Sequence, residues 1–463
     1  AAGNAATQVT RTVQVVLIAI TLTSPDDISV NAVGYLTNVD IGTATARGGD
    51  GDITVTASRV GPFQSGSHEI VWTATDSVGS IETATQMIKV HPLANFCTNM
   101  LTTEGSKPEA HIWLSGHAAV YPVMIPFEVS GTATEGDDYA VTQSGTITIE
   151  EGTFGTINLN IVADGDAESE ETVQIILGDL VNAARGVASA QTWSIVEGNL
   201  PPNAMLMMSQ DGVIGNTLVA DGGTVTVSVI ITDANGGDQH TVDWMDALGL
   251  PNAVVDTSGQ ALSFSAAEQG AITIFVDVSD GMDSITVSSS AVVLVTAPTL
   301  AFDADTDGDG ISDAAEGYGD SDGDGMPDYQ DNIAASNVVP MDNGFMQTEA
   351  CTLVSLGAAS LVMGDNNVTV SESELVALGM VVDAGYDYPS HLVDFAVTGA
   401  DLGHTYKVVM PLSQPLPNGA VYRKYLGENI GWQMFVENAD NAVATASALK
   451  GACPHTGSEA YTP

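Results

Sequence analysis

Apolar residues alternate with Thr and Ser over short runs. In Gly145-Thr-Ile-Thr-Ile149 and Gly223-Thr-Val-Thr-Val-Ser-Val-Ile230 every second side chain falls on an apolar face, the period-two pattern of a half-buried strand. Turn clusters follow at roughly ten-residue spacing, which predicts sandwiches in place of βαβ units. Helical periodicity is scarce. At 463 residues the chain is too long for one core, and about three to five domains are expected.

The densest polar pattern is an Asp/Gly tract at 303–332. It holds 11 acidic residues between Asp303 and Asp331 and no Lys or Arg. Within it, Asp305, Asp307 and Asp309 occupy positions 1, 3 and 5 of a twelve-residue loop, Gly310 position 6, Asp313 position 9 and Glu316 position 12. This is the ligand spacing of an EF-hand-type calcium loop, in which the Ile311 carbonyl serves position 7. Alternate side chains of a tightly wound loop point inward, glycine permits the sharp turn, and Glu316 can close the sphere with two oxygens. Fifteen residues on, the pattern repeats with Asp320, Asp322, Asp324, Gly325, Met326 (through its carbonyl), Asp328 and Asp331. Asp331 is shorter than Glu, so closure there is expected to be poorer or water-assisted. Hard oxygen ligands favour Ca2+ over zinc or copper. Without a cation the tract would be a loose acidic linker, but two copies in register argue against that. Both loops resemble thrombospondin type 3 repeats, and helices flanking them are not evident. The expectation is a hinge that stiffens on ligation and locks neighbouring modules into a rod.

Further resemblances divide the chain. Residues 25–92, with Asp40-Ile-Gly-Thr-Ala-Thr45 and Trp72-Thr-Ala-Thr-Asp-Ser-Val-Gly79, resemble the hyalin-repeat family, which implies an immunoglobulin-like sandwich used for adhesion or spacing. Residues 93–197 resemble a Calx-beta domain through Phe127-Glu-Val-Ser-Gly-Thr-Ala-Thr-Glu-Gly-Asp-Asp-Tyr139, Gly145–Ile149 and Ile161-Val-Ala-Asp-Gly-Asp-Ala-Glu-Ser-Glu-Glu171. Carried over by position, that resemblance implies a second calcium site on Glu104, Asp138, Asp164, Glu168 and Glu171. One family aspartate falls on Ala163, so a full multi-ion cluster is not expected. Residues 203–297, with Val242-Asp-Trp244 and Phe275–Asp283, look like a PKD- or cadherin-like sandwich. Residues 338–463 resemble the bacterial choice-of-anchor U domain in Val382–Pro389, Gly419-Ala-Val-Tyr-Arg-Lys-Tyr425, Gly431–Asn438 and Gly451-Ala-Cys-Pro454, and the resemblance stops short of that family's last strands. The fold class expected is therefore all-β, with serial immunoglobulin-like β-sandwich domains and a calcium-binding linker.

The opening residues Ala2–Val15 resemble Val78–Val90, the end of the first whole unit. Residues 1–20 are read as an orphan strand. It is either the end of a missing hyalin-like domain or a donor that completes a sheet in a neighbouring copy, giving a head-to-tail homo-oligomer.

Charge and cysteines narrow the function. Lys+Arg total 10 against 58 Asp+Glu, a net charge of -48, which repels nucleic acid and anionic membranes. No apolar run is long enough for a transmembrane segment. Cys351 and Cys453 fall in one C-terminal unit and could pair, and the choice-of-anchor U resemblance implies the alternative that Cys453 belongs with a further cysteine of that family's last strands. Cys97 is expected to be unpaired. No nucleophile elbow, phosphate loop or dinucleotide fingerprint occurs. His68-Glu69 is followed at the fourth residue from His68 by Trp72, so it is no zinc-protease helix, and Trp72, Trp244 and Trp432 read as core aromatics. The chain reads as a non-enzymatic, extracellular segment of a bacterial cell-surface protein, its partners calcium and other surface proteins or glycans. A subunit of an assembled fibre and the carbohydrate-binding part of a secreted hydrolase are the alternatives.

Overall fold

The computed structural model describes residues 18–97, 99–163, 170–333, 335–342, 344–378, 381–383, 385–386, 388, 392–399, 405–426, 430–438, 441–448 and 452–462. Residues 1–17 of the expected orphan strand, and the donor reading built on them, lie outside the described residues. Ile20 does not belong to that segment. Strand Ile20–Thr23 pairs antiparallel with Thr45–Gly48, and Ile20 is buried there.

The architecture is all-β. In the first sandwich a four-stranded sheet runs in the order Ile28–Asn31, Ile81–His91, Gly66–Thr75, Thr54–Ala57. Alternation turns Ile70, Trp72, Ile88 and Val90 onto one face, where they pack with Phe63 and Ile41. The Trp72 indole is not left unsatisfied. Its Nε1 donates to Gln86 Oε1 at 3.1 Å, and the Gln86 amide donates to the carbonyls of Asp26 and Ile41. A buried amide is tolerated here because it is fully bonded.

The second sandwich has two five-stranded sheets, centred on Val123–Gly131 with Glu171–Leu177 and on Phe154–Ile161 with Glu109–Leu114. Its core includes Ile112, Ile125, Ile157, Ile175 and Trp193. The third pairs Asn203–Gln210 with Thr224–Thr232 in one sheet and Gly270–Ser279 with Ser284–Leu294 in the other, around Val225, Val227, Leu262, Phe264, Val276 and Trp244. The last region is less regular. It has short paired strands and two short helices, Ala358–Met363 and Glu372–Ala377. The second helix begins with a capping box in which Ser371 and Glu374 satisfy each other's backbone amides. Trp432 is only half-buried on a two-stranded hairpin, its Nε1 donating to the Val381 carbonyl. It is not the core aromatic expected from composition.

Two long-range connections reverse expectations. Cys97 and Cys351 form a disulfide across 254 residues, and Cys453 is the free thiol. The expectation of an unpaired Cys97 is therefore corrected, and of the pairings left open for Cys351 the one with Cys453 does not form. Nearness in sequence favoured the wrong partner because it was the fold, not the chain, that brought the second sandwich against the last region. Likewise, Tyr35 and Leu36 of the first sandwich pack against Ile333, Val338 and Phe345. The chain is thus folded back on itself, not drawn out as a rod.

Candidate metal centre

The Asp/Gly tract is ordered by its own hydrogen bonds, and the two loops are near copies. Asp305 Oδ1 accepts from the Gly308 amide at 2.9 Å and its Oδ2 from Gly310 at 3.2 Å. Asp320 accepts from Gly323 at 2.8 Å and Gly325 at 2.9 Å. Asp309 Oδ1 takes the Ile311 amide, and Asp324 Oδ1 takes the Met326 amide. Gly310 and Gly325 have φ of 98° and 96°, a conformation that glycine reaches without penalty. In place of EF-hand helices there are only one turn at Asp313–Glu316 and a 3-10 turn at Asp328–Gln330.

These turns bring three carboxylates together in each loop. One oxygen each from Asp305, Asp307 and Asp309 lie within 4.8 Å of one another, and so do those of Asp320, Asp322 and Asp324. The position-9 residues are placed differently. Asp313 bonds the amide and hydroxyl of Thr306 at 2.7 and 2.8 Å, and Asp328 does the same with Ser321. Both therefore brace the loop from position 2. Asp307 Oδ2, Glu316 Oε2, Asp322 Oδ2 and Asp324 Oδ2 are buried without a hydrogen-bond partner. Asp324 is 0% exposed. A buried carboxylate oxygen with no donor is expensive, and a ring of them has the chemistry of a hard-cation cage.

No family model matches the chain, and no curated protein matches it. Among solved structures it is similar to the apo form of the Calx CBD1 domain, at 16% identity over 24% of this chain and 99% of that one, with a TM-score of 0.21. It is similar to Sidekick-1 immunoglobulin domains 1–5 at 14% identity, covering 61% of this chain and 60% of that one, TM-score 0.21. The Protocadherin GammaB4 extracellular domain matches at 14% identity over 61% of this chain and 52% of that one, TM-score 0.21. Likeness at this level transfers no ligand or activity.

The two loops differ in surroundings. A Cβ on Gly308 or Gly310 would meet open space, whereas one on Gly323 would meet Leu353 Cδ1 at 2.9 Å and one on Gly325 Leu361 Cδ2 at 3.3 Å. Met326 is buried in a cluster with Val292 of the third sandwich and Val354, Leu356 and Leu361 of the last region. The Asp320 amide donates to the Ile214 carbonyl, and the Leu356 amide to that of Asp324. The second loop is therefore a plug between two packed bodies, and the first is exposed.

That burial sets the proton affinities of the ion-free carboxylates. It raises Asp320 from 3.8 to about 6, against the lowering pull of the Gly325 and Gly323 amides. Asp331 is raised to about 7, again chiefly by burial. Asp322 and Asp324 are held well above the usual carboxylate range by burial first and then by neighbouring aspartate charges, Asp331 prominent among them. In the first loop, desolvation followed by the charges of Asp307 and Asp309 raises Glu316 to about 7. So Glu316 and Asp331 both sit among the carboxylates of their own loops. Burial, then Asp331 and Asp322, also pushes the Tyr35 hydroxyl up, which places a first-sandwich residue beside the second loop.

The Calx-beta-type positions are described only in part, since Asp164 and Glu168 lie outside the described residues. The turn holding Glu104, residue Asp138 and the end of strand Phe154–Ile161 meet at one tip: Ile161 donates to the Ser106 carbonyl and Val162 to that of Asp138. Asp138 Oδ2 accepts from the Thr134 amide at 2.6 Å, and Glu171 opens the strand paired with Ala190–Ile195. Among the described residues these carboxylates form no cluster of metal-holding geometry.

One acidic group escaped the sequence reading. Asp233, Asp238 and Asp280 bring oxygens within 4.8 Å of one another. His240 Nε2 lies 2.8 Å from Asp233 Oδ2, and the Asn199 amide donates to Asp280 and Asp283. These partners bond Asp233 and Asp280 without a metal. Asp280 is far in sequence from Asp233 and Asp238, and no spacing signal announces the group.

Proposed function

We propose that this chain is a calcium-stiffened structural and adhesive segment of a bacterial cell-surface protein. Its hyalin-like (25–92), Calx-beta-like (93–197) and PKD- or cadherin-like (203–297) sandwiches act as spacers and contact surfaces. The loops at 303–332 each take one Ca2+, and the region 338–463 is anchor-like. The observation that carries the calcium reading is Asp324, fully buried with an unpartnered Oδ2 inside a ring of three carboxylates. Asp305, Asp307, Asp309 and Glu316 would hold one ion, with the Ile311 carbonyl. Asp320, Asp322, Asp324 and Asp331 would hold the other, with the Met326 carbonyl. What the ion supplies is charge neutralisation, so ligation free energy becomes ordering free energy of the tract. The fold-back alters the mechanical picture: stiffening acts at a central joint, where the third sandwich and the last region share a core.

Calorimetric titration of the metal-free chain with Ca2+ tests this. Two ions should bind, Asp305→Ala and Asp320→Ala each removing one. No uptake at millimolar Ca2+ would leave a set of inert sandwiches.

A further inference from the structure

The second loop touches more than the two bodies it plugs. Asp331, which closes that loop, accepts the Ile333 amide at 2.9 Å, and Ile333 is 2% exposed because Tyr35 of the first sandwich covers it. Tyr35 stacks edge-on against Phe345 with centroids 5.0 Å apart. Its hydroxyl accepts from Gln64 Nε2, within the same sandwich. The neighbouring backbone is held from the other side: the His455 amide donates to the Val33 carbonyl at 2.9 Å, and a Cβ on Gly34 would meet the Cys453 carbonyl at 2.3 Å. Residues 33–36 thus sit in a slot between the exit of the second loop and the C-terminal tail. The first loop touches this path at one point, where the Asn332 side-chain amide donates to the Asp307 carbonyl at 3.0 Å.

We propose that the second loop is a calcium-operated clasp for the first sandwich, with Tyr35 as its positioning residue. This rests on the calcium reading above and deepens it. With the ion bound, the four carboxylates are drawn together, and Asp331 fixes Ile333 as the floor under Tyr35. Without it their mutual repulsion spreads the loop, and the floor moves. Coupling of this kind is reciprocal: the docked tyrosine orders Asp331 before the ion arrives and so tightens binding. The first loop is exposed and reaches the slot only through Asn332, so its ion is coupled to Tyr35 more weakly.

The test is a Ca2+ titration by calorimetry on the full metal-free chain, wild type, Tyr35→Ala and Tyr35→Phe. Tyr35→Ala should weaken one of the two binding classes about tenfold, equivalent to about 1.4 kcal/mol, and the other much less. Tyr35→Phe keeps the ring against Ile333 and Phe345 and should restore most of the affinity. Tyr35 lies outside the first sandwich's own core, so its loss should not unfold that unit. A second readout is amide exchange at residues 33–37, which reports local opening. It should accelerate when Asp320→Ala disables the second loop in calcium, and less when Asp305→Ala disables the first. Two unaltered binding classes in Tyr35→Ala, or exchange at 33–37 indifferent to Asp320→Ala, would overturn the clasp while leaving the calcium sites standing. Absence of any uptake in the wild type would sink both.

Discussion

Replacing Asp324 by asparagine should stabilise the metal-free chain and leave the calcium-loaded chain nearly unchanged. The carboxylate oxygens of Asp320, Asp322 and Asp324 lie within 4.8 Å of one another, a spacing at which two charges repel by about 3.5 kcal/mol at an effective dielectric near 20. Asp324 faces two such neighbours, or about 7 kcal/mol if all three ionise. Proton uptake caps this. Starting from an ordinary value of 3.8, neutralising the group at about pH 7.5 costs about 5 kcal/mol. Asparagine keeps the shape and still offers an oxygen to the Met326 amide, but burying its amide costs about 1–3 kcal/mol. The metal-free chain should therefore gain about 2–4 kcal/mol in the region that holds the loop. In millimolar Ca2+ that gain is cancelled. Losing an anionic ligand that weakens binding a hundredfold removes about 2.7 kcal/mol of ligand stabilisation. The assay is differential scanning calorimetry of both proteins, metal-stripped and in calcium, following the transition assigned to the third sandwich and the last region. A shift of several degrees upward without metal, and a much smaller one with it, is expected. An equal shift in both conditions would refute a charge-crowded cation cage.

Acidity offers a second check. Asp320, with a folded value of about 6, and Asp331, with about 7, both start from 3.8, so the ion-free folded state binds protons that the unfolded state has released. Stability of metal-free protein should then fall as pH rises from about 4 through about 7, and it should rise over the same window in excess calcium, where protons compete with the ion. Melting curves across that range, flat in both conditions, would contradict the burial of these groups. The disulfide makes a third prediction. Thiol labelling of unfolded, unreduced protein should modify Cys453 alone, and all three cysteines after reduction. Because the Cys97–Cys351 link spans 254 residues, the Cys97→Ser chain should lose up to about 5 kcal/mol by loop-closure entropy, read as a lower denaturant midpoint. Labelling of Cys97 before reduction would contradict the fold-back.

Much of this molecule follows from local sequence. Alternation in Gly223–Ile230 dictates a strand because a pleated backbone turns successive side chains to opposite faces, and Val225 and Val227 are indeed fully buried. The Asp spacing in the two loops dictates the carboxylate rings for the same kind of reason: a glycine-permitted turn five residues after the first aspartate converges positions 1, 3 and 5 whatever surrounds them. Neither result needs a distant partner. The inequality of the two loops does need one. Asp309 and Asp324 occupy the same position of near-identical motifs, yet only Asp324 is sealed, because Leu353, Leu356 and Leu361 arrive over the second loop from a region some thirty residues on. Cys97 finds Cys351, and not the nearer pair its neighbours suggested, by docking of whole bodies, and Tyr35 reaches Ile333 across most of the chain. Contacts of that range are set by which assembled surfaces fit together, information distributed over many side chains and carried by no motif. Sequence fixes where a cation can be held; the tertiary arrangement decides which of the two cages is a joint.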